Sequence, residues 1–139
     1  MIRANRAAID TGALLALAST RDQYHERALV IEERFRHRGG RWVGTTLVLG
    51  ELHGHLLRRS DPATARRVVA ALLDDPAYEW RDATVDLIRE AVRDWIARFA
   101  DQRFSLTDAL TFAIMRRERI TRAFAFDRDF ATAGFELLE

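Results

Sequence analysis

Residues 7–17 read Ala7-Ala8-Ile9-Asp10-Thr11-Gly12-Ala13-Leu14-Leu15-Ala16-Leu17: a short apolar run, an aspartate, and a longer apolar run. The first run has the character of a short buried strand, and the second reads as one or two buried helical turns. Asp10, Thr11 and Gly12 end the strand and lead into the helix. A strand followed at once by a helix is the first half of a βαβ unit, the building block of parallel sheets.

The same alternation continues along the whole chain. Strands are predicted at 7–9, 42–45, 78–80, 123–126 and 135–138. Helices are predicted at 13–17, 22–37, 47–59, 63–73, 82–99 and 105–119, with Asp22 and Asp82 as caps. This order predicts an α/β protein with a mainly parallel sheet and helices on both faces. Since no linker or repeat interrupts it, residues 1–139 are expected to form a single domain.

The composition excludes several kinds of chemistry. All 22 basic residues are arginine, and the chain has no lysine and no cysteine. There is therefore no Walker-A lysine, no amine for a Schiff base, no disulfide scaffold and no thiol nucleophile. The formal net charge of +1 gives no overall signal for nucleic acid. No apolar run approaches the ~20 residues that span a bilayer, so a cytoplasmic protein without a membrane partner is expected.

Two aspartates directly follow predicted strands, Asp10 after the first and Asp127 after 123–126. In an open parallel sheet, ligands bind outside the carboxyl ends of the strands, where the strand order reverses. Aspartate also ends strands for a purely local reason, because its side chain caps the following turn. Either aspartate alone fits both interpretations.

Glu51 and Asp108 occupy unusual helical positions. Glu51 lies on or beside the apolar stripe of its helix, where an unpartnered buried carboxylate is costly, so it is expected either at a rim facing a ligand or reaching solvent. Ser105-Leu106-Thr107-Asp108 fits a capping box, which by itself explains both polar residues. The helix that they open continues into a strongly apolar run, so its N-terminus is expected in the core.

Taken together, these four acids predict a cation site. If they share one crevice, each close pair repels by roughly 3 kcal/mol at ~5 Å and an effective dielectric constant near 20. Protons or cations must then occupy the site. Ligands that are all oxygen suit Mg²⁺ or Mn²⁺, which polarise phosphodiesters and activate water.

Four motifs occur in a characteristic order: Ile9-Asp10-Thr11-Gly12-Ala13-Leu14, Thr45-Thr46-x-Val48-x-x-Glu51, Ser105-Leu106-Thr107-Asp108-Ala109-Leu110 and Phe126-Asp127-Arg128-Asp129-Phe130. They resemble the PIN domain family, and more narrowly the VapC-type toxin ribonucleases of toxin–antitoxin modules. The resemblance covers nearly the whole chain. It implies a three-layer α/β/α sandwich with about five strands, and endonucleolytic cleavage of RNA that depends on Mg²⁺ or Mn²⁺.

The resemblance also implies roles for single residues. The metal-binding, catalytic carboxylates match Asp10, Glu51, Asp108 and Asp127, and Asp129 is close enough to assist or replace Asp127. Thr11 is expected to orient Asp10, and Ser105 to support Asp108. Ala125 departs from the family pattern, which often has Thr or Ser two residues before the fourth acid.

A phosphate-binding rim is predicted from arginines near helix ends: Arg58, Arg59, Arg116 and Arg117, with Arg119 and Arg122 beside them. Arginine grips phosphate with two parallel hydrogen bonds. Cations also favour helix C-termini because of the dipole, which is the alternative explanation for these clusters.

The resemblance implies a ribonuclease toxin of a type II system, restrained by a cognate antitoxin and acting as a homodimer on an RNA substrate. One alternative is a PIN-like module that binds RNA or protein without cleavage, because Ala125 supplies no hydroxyl. A second alternative is a structure-specific nuclease that uses the same site on DNA.

Overall fold

The computed structural model describes residues 5–139. The chain alternates between strands and helices from its first element to its last. In order, the elements are β1 (Arg6–Ile9), α1 (Thr11–Ala18), α2 (His25–His37), β2 (Arg41–Thr45), α3 (Thr46–Arg59), α4 (Pro62–Asp74), β3 (Tyr78–Arg81), α5 (Val85–Ala91), a π-helical turn (Val92–Ile96), α6 (Leu106–Glu118), β4 (Arg122–Phe124), α7 (Asp129–Thr132) and β5 (Glu136–Leu137).

The five strands form one sheet in the order β3-β2-β1-β4-β5, and every neighbouring pair is parallel. The chain starts in the centre at β1, builds outward through β2 and β3, and then crosses to β4 on the other side. The strand order therefore reverses between β1 and β4, where Ile9 lies opposite Phe124. A crevice at the carboxyl ends of two such strands is where open α/β sheets bind ligands.

Helices cover both faces of the sheet. On one face, Ile9, Trp42 and Phe124 pack against α1, α2, α3 and α4. On the other face, Ala8, Val43 and Ala123 pack against α5 and α6, with α7 beside them. This confirms the α/β fold class, with its three layers and five strands.

Two helices begin later than the sequence pattern predicts. The expected cap Asp22 instead accepts a hydrogen bond from the Tyr24 amide at 2.8 Å, which closes a turn before α2 begins at His25. Asp82 likewise is not the cap of α5, because the Thr84 hydroxyl accepts from the amide of Leu87 at 3.1 Å. Asp22 therefore stabilises the turn before α2, and at α5 the cap is supplied by Thr84.

Two further boundaries and one additional helix differ from the prediction. The helix expected to run to residue 99 ends at Ala91 and passes into the π-helical turn, within which Trp95 is buried. β4 ends at Phe124, and Phe126 leaves the sheet to stack on Tyr24. The short helix α7 was not expected, since its four residues carry little helical pattern. No helix within residues 5–139 is long and apolar enough to cross a membrane.

Candidate functional site

Asp10 lies at the centre of the crevice, immediately after β1. Its amide donates to the Phe124 carbonyl oxygen at 3.2 Å, which fixes it beside the end of β4. Its Oδ1 accepts from the Ala13 amide at 2.8 Å and so caps α1. The side chain is buried, and burial raises the pKa of Asp10 well above its ordinary value, with the charges of Asp127, Asp108 and Glu51 adding to the shift.

Asp108 enters the same crevice from the first turn of α6. The Ser105 hydroxyl accepts from the Asp108 amide at 3.0 Å, so Ser105 is the helix cap, as predicted. The return hydrogen bond of a capping box, from the Ser105 amide to the Asp108 carboxylate, is not formed in the described chain. The Asp108 carboxylate therefore does not complete a capping box. Burial, followed by the charge of Asp127, raises the pKa of Asp108 to about 7.

The remaining acids lie around these two. Asp127 is exposed beyond the end of β4, and its Oδ1 accepts from the amide of Asp129 at 2.9 Å. Burial, together with the charge of Asp127, raises the pKa of Asp129. Glu51 is half-buried in the second turn of α3, and its charge reaches both Asp10 and Asp108. We call this group the acidic cluster: Asp10, Glu51, Asp108, Asp127 and Asp129.

The acidic cluster fits a divalent cation in its chemistry. Every donor is a carboxylate oxygen, the type that Mg²⁺ and Mn²⁺ prefer. In the described part of the chain, no arginine forms an ion pair with any of the five acids. Within residues 5–139, no three potential ligands are already gathered closely enough to enclose an ion. The cluster is thus an uncompensated set of acids whose side chains would converge on the cation.

The predicted supporting residues differ in what they contact. Ser105 holds the first turn of α6 and with it the backbone of Asp108. Thr11 is buried, but its hydroxyl has no hydrogen-bond partner in residues 5–139. The bond that orients Asp10 comes from the Ala13 amide instead of from Thr11.

The structure does not bring the predicted arginine rim together around the acidic cluster. Arg116 and Arg117 lie at the far end of α6, about 12 Å along the helix from Asp108. There Arg116 pairs with Asp94, and Arg117 pairs with Glu90 at 2.9 Å.

The other predicted arginines also lie elsewhere. Arg58 and Arg59 are exposed at the C-terminal end of α3, with the Arg58 guanidinium beside Gly54. Arg119 and Arg122 line a cavity that also includes Asn5 and Arg6, at the amino-terminal edge of the sheet. That edge is opposite to the one that carries the acidic cluster.

Sequence patterns missed an aromatic and basic group beside the site. The Phe126 ring stacks on Tyr24 with a centroid distance of 4.4 Å, and the Arg27 guanidinium carbon lies 5.8 Å from the Phe126 centroid. The only available signal was the position of Phe126 next to Asp127. The partners come from the start of α2, about a hundred residues earlier in the chain.

The sequence matches the model of one protein family. Residues 7–136 match the PIN domain. Curated relatives are the 23S rRNA-specific endonuclease VapC20 from two strains of Mycobacterium tuberculosis, 38% identical over 88 residues. The aligned segment covers 63% of this chain and 66% of the relatives, just under two thirds of their length.

Solved structures agree with this match. The crystal structure of M. tuberculosis VapC20, described as a sarcin-ricin loop cleaving toxin, superposes with a TM-score of 0.80 at 31% identity, covering 93% of this chain and 95% of that one. The crystal structure of VapBC2 from Rickettsia felis bound to a DNA fragment from their promoter superposes with a TM-score of 0.64 at 12% identity. The match covers 96% of this chain and 97% of that one. The crystal structure of FitAcB from Neisseria gonorrhoeae superposes with a TM-score of 0.64 at 12% identity, and the match covers 96% of each chain. Because their sequence identity is low, these last two structures show the fold alone. The chain belongs to the PIN domain family.

Proposed function

We propose that the chain is a metal-dependent endoribonuclease toxin of a type II toxin–antitoxin system, using Mg²⁺ with Mn²⁺ as the alternative ion. One observation carries this proposal: several carboxylates with no arginine partner among residues 5–139 lie together where the strand order of a parallel sheet reverses, between β1 and β4. The similarity to VapC20, a 23S rRNA-specific endonuclease, supports RNA as the substrate.

Each acid has a distinct part in this proposal. Asp10, Glu51, Asp108 and Asp127 hold the cation, with Asp129 as the alternative to Asp127. A bound divalent cation supplies Lewis acidity toward the phosphodiester and an activated water. Asp10 is held by its bond to the Ala13 amide, which leaves its second oxygen available. The carboxyl of Asp108, with a pKa of about 7, carries a proton in part at neutral pH and must release it to act as a ligand.

The proposal includes an RNA substrate and a protein partner. A hairpin of 23S rRNA that contains the sarcin-ricin loop is the first RNA to test, because VapC20 is described as cleaving that loop. A cognate antitoxin would restrain the enzyme by covering the acidic cluster. We further propose that the enzyme is a homodimer in the cytoplasm.

The test is cleavage of this hairpin by purified protein as Mg²⁺ or Mn²⁺ is titrated, with EDTA as the metal-free arm. Asp10→Asn and Asp108→Asn should each lower the cleavage rate by about 100-fold or more, since they remove ligand oxygens with little change in shape. Asp86→Asn is the matched control, because Asp86 is an exposed first-turn acid of α5. Circular dichroism spectra should be the same for all four proteins.

Other outcomes separate the alternatives. RNA that binds tightly but is not cut in any metal would indicate a binding module without nuclease activity. Preferential cutting of structured DNA would indicate a DNA-directed nuclease. Undiminished cleavage by Asp10→Asn or Asp108→Asn would contradict the assignment of the acidic cluster.

A further inference from the structure

Arg27 is held over an aromatic ring at the edge of the crevice. Phe126 leaves the sheet after β4 and stacks almost parallel to Tyr24, with 6° between the ring planes. The guanidinium carbon of Arg27 lies 5.8 Å from the Phe126 centroid, within the range of a cation–π contact. A side chain that is exposed on the first turns of α2 is thereby restrained at one place.

That place is next to the acidic cluster. Phe126 is bonded directly to Asp127, and the charge of Asp127 acts on both Asp10 and Asp108. α2 also begins at this edge, since its N-cap residue Tyr24 contacts Phe126. The helix dipole therefore adds positive potential beside Arg27.

Arg27 has no competing partner in the described part of the chain. No ion pair or side-chain hydrogen bond involves it between residues 5 and 139, whereas Arg36, Arg81 and Arg117 each bind carboxylates. RNA entering the crevice brings phosphates toward five acids that repel them. A cation at the crevice edge offsets that repulsion and fixes the strand, because phosphate contacts set register on a nucleic acid.

We propose that Arg27 is a substrate-positioning residue whose guanidinium binds a phosphate of the RNA strand beside the scissile bond, with Phe126 holding the guanidinium in place. This inference rests on the proposed function of the acidic cluster and adds a residue to it. Arginine suits the task because its planar fork donates two parallel hydrogen bonds to a phosphate.

The test compares Arg27→Ala, Arg27→Lys and a matched control, Arg34→Ala. Arg34 lies seven residues later on the same face of α2, about 10.5 Å farther along the helix. It is also exposed, and it likewise forms no ion pair within the described chain. Two readouts are needed: KM and kcat for hairpin cleavage, and hairpin affinity as a function of salt, measured by fluorescence anisotropy with Ca²⁺ replacing Mg²⁺.

Loss of one phosphate contact should raise KM about tenfold for Arg27→Ala while leaving kcat within about twofold of wild type. The slope of log affinity against log salt should fall by about 0.7 to 0.9. Arg27→Lys should restore the slope, because the charge is kept, and Arg34→Ala should match wild type. Phe126→Leu keeps an apolar side chain without the ring, and its effect on KM should not add to that of Arg27→Ala.

An unchanged KM and salt slope for Arg27→Ala would overturn the inference, as would an equal effect of Arg34→Ala. So would a loss of antitoxin binding with normal RNA binding, which would place Arg27 in a protein interface. Failure of the proposed function is a separate result: wild-type protein binds the hairpin without cutting it in any metal. The anisotropy measurement still tests the role of Arg27 when the wild-type protein binds RNA without cutting it. If wild-type protein does not bind the hairpin, both the proposed function and the inference about Arg27 are overturned.

Discussion

Asp10 combines a structural contact with a chemical one on a single carboxylate. One oxygen caps α1 through the Ala13 amide, a bond of a kind that typically contributes about 1 kcal/mol. The other oxygen is buried in a group of acids without an arginine partner in the described chain, an arrangement that raises the pKa of Asp10. Gly12 lies beside this carboxylate, where an added Cβ would stand 3.6 Å from Oδ1, in ordinary contact. The capping bond orients the side chain that the proposed cation would need.

Sequence patterns were informative for the acids because each stands next to an apolar run that marks a strand end or a buried helix start. Sequence patterns did not predict the positions of the arginines, because the long arginine side chain can pair with carboxylates that are distant in the sequence. The partners of Arg116 and Arg117 are Asp94 and Glu90, 22 and 27 residues earlier in the chain. Which carboxylate a long side chain meets depends on how α5 and the π-helical turn pack against α6, and no local pattern carries that information.

Replacing Asp108 by asparagine should stabilise the metal-free protein above about pH 7. The substitution removes a charge that burial and Asp127 disfavour, since they raise the pKa of this carboxyl to about 7. The expected gain is on the order of 1 kcal/mol, about 4 °C in unfolding temperature. Thermal melts in EDTA measure it. Asp86→Asn should give no gain, and an unfolding temperature below wild type for Asp108→Asn would contradict the repulsion.

At the scale of the elements, helix starts and the ends of β4 and α5 differ most from the sequence pattern. Asp82 and Thr84 are both good caps two residues apart, and the choice depends on where the Leu87 amide lies after folding. The π-helical turn brings Trp95 to 5.2 Å from the Phe112 ring centroid, a long-range contact that no periodicity indicates. The strands were easier to predict because most contain a short apolar run, and Tyr78-Glu79-Trp80 of β3 alternates between aromatic and charged residues.

Removing either of two helix caps should lower stability, but only one of the two substitutions should also lower activity. Ser105→Ala and Thr84→Ala each remove a hydroxyl that accepts from a helix amide, at 3.0 and 3.1 Å, and each should cost about 1 kcal/mol. Only Ser105→Ala should also slow RNA cleavage, because it loosens the turn that carries Asp108. Urea midpoints and cleavage rates are the two measurements. An equal loss of cleavage in Thr84→Ala would show that α6 is not specifically required.

Two glycines should respond oppositely to alanine. A Cβ on Gly44 of β2 would lie 2.6 Å from the Trp80 ring, which stacks on Tyr78 and donates to the Leu72 carbonyl at 3.1 Å. Gly44→Ala should therefore destabilise the fold by about 1–3 kcal/mol. Gly50 in α3 is exposed with open space around its Cα, so Gly50→Ala should stabilise by about 0.5–1 kcal/mol. Denaturant unfolding measures both, and a Gly44→Ala protein as stable as wild type would contradict the packing.

At the scale of the whole molecule, the strand order determines which residues lie together in the candidate site. The alternation of strands and helices predicted the fold class, and the family resemblance implied the layers. The order β3-β2-β1-β4-β5 depends on which face each helix covers, so it could not be predicted from periodicity. That order places the ends of β1 and β4 side by side and brings Asp10 and Asp127 near each other. It also explains why Phe126, two residues beyond the end of β4, contacts Tyr24 from the other half of the chain.

The pH dependence of global stability follows from the same cluster. In the metal-free protein, folded Asp108 keeps its proton up to about pH 7, whereas in the unfolded chain the carboxyl loses it near its ordinary pKa of 3.8. The folded state thus binds more protons in this window, and stability falls as pH rises through it. The unfolding temperature should drop between about pH 5 and pH 8 in wild type, and less in Asp108→Asn. Parallel curves for the two proteins would contradict the shift.

A divalent cation should reverse this trend, because it binds the deprotonated carboxylates of the folded state. Added Mg²⁺ should raise the unfolding temperature of wild type more at about pH 8 than at about pH 5. Asp10→Asn should show little of this gain. An equal Mg²⁺ effect in wild type and Asp10→Asn would indicate binding elsewhere on the molecule.

The most direct measurement locates the ion itself, by anomalous diffraction from crystals of the whole chain soaked in Mn²⁺. We expect an anomalous peak at the carboxyl ends of β1 and β4, bordered by carboxylate oxygens of Asp10, Glu51, Asp108 and Asp127. Asp10→Asn crystals should show no such peak. Protein that cleaves RNA with Mn²⁺ but binds the ion only away from these side chains would contradict the assignment of the acidic cluster as the catalytic metal site.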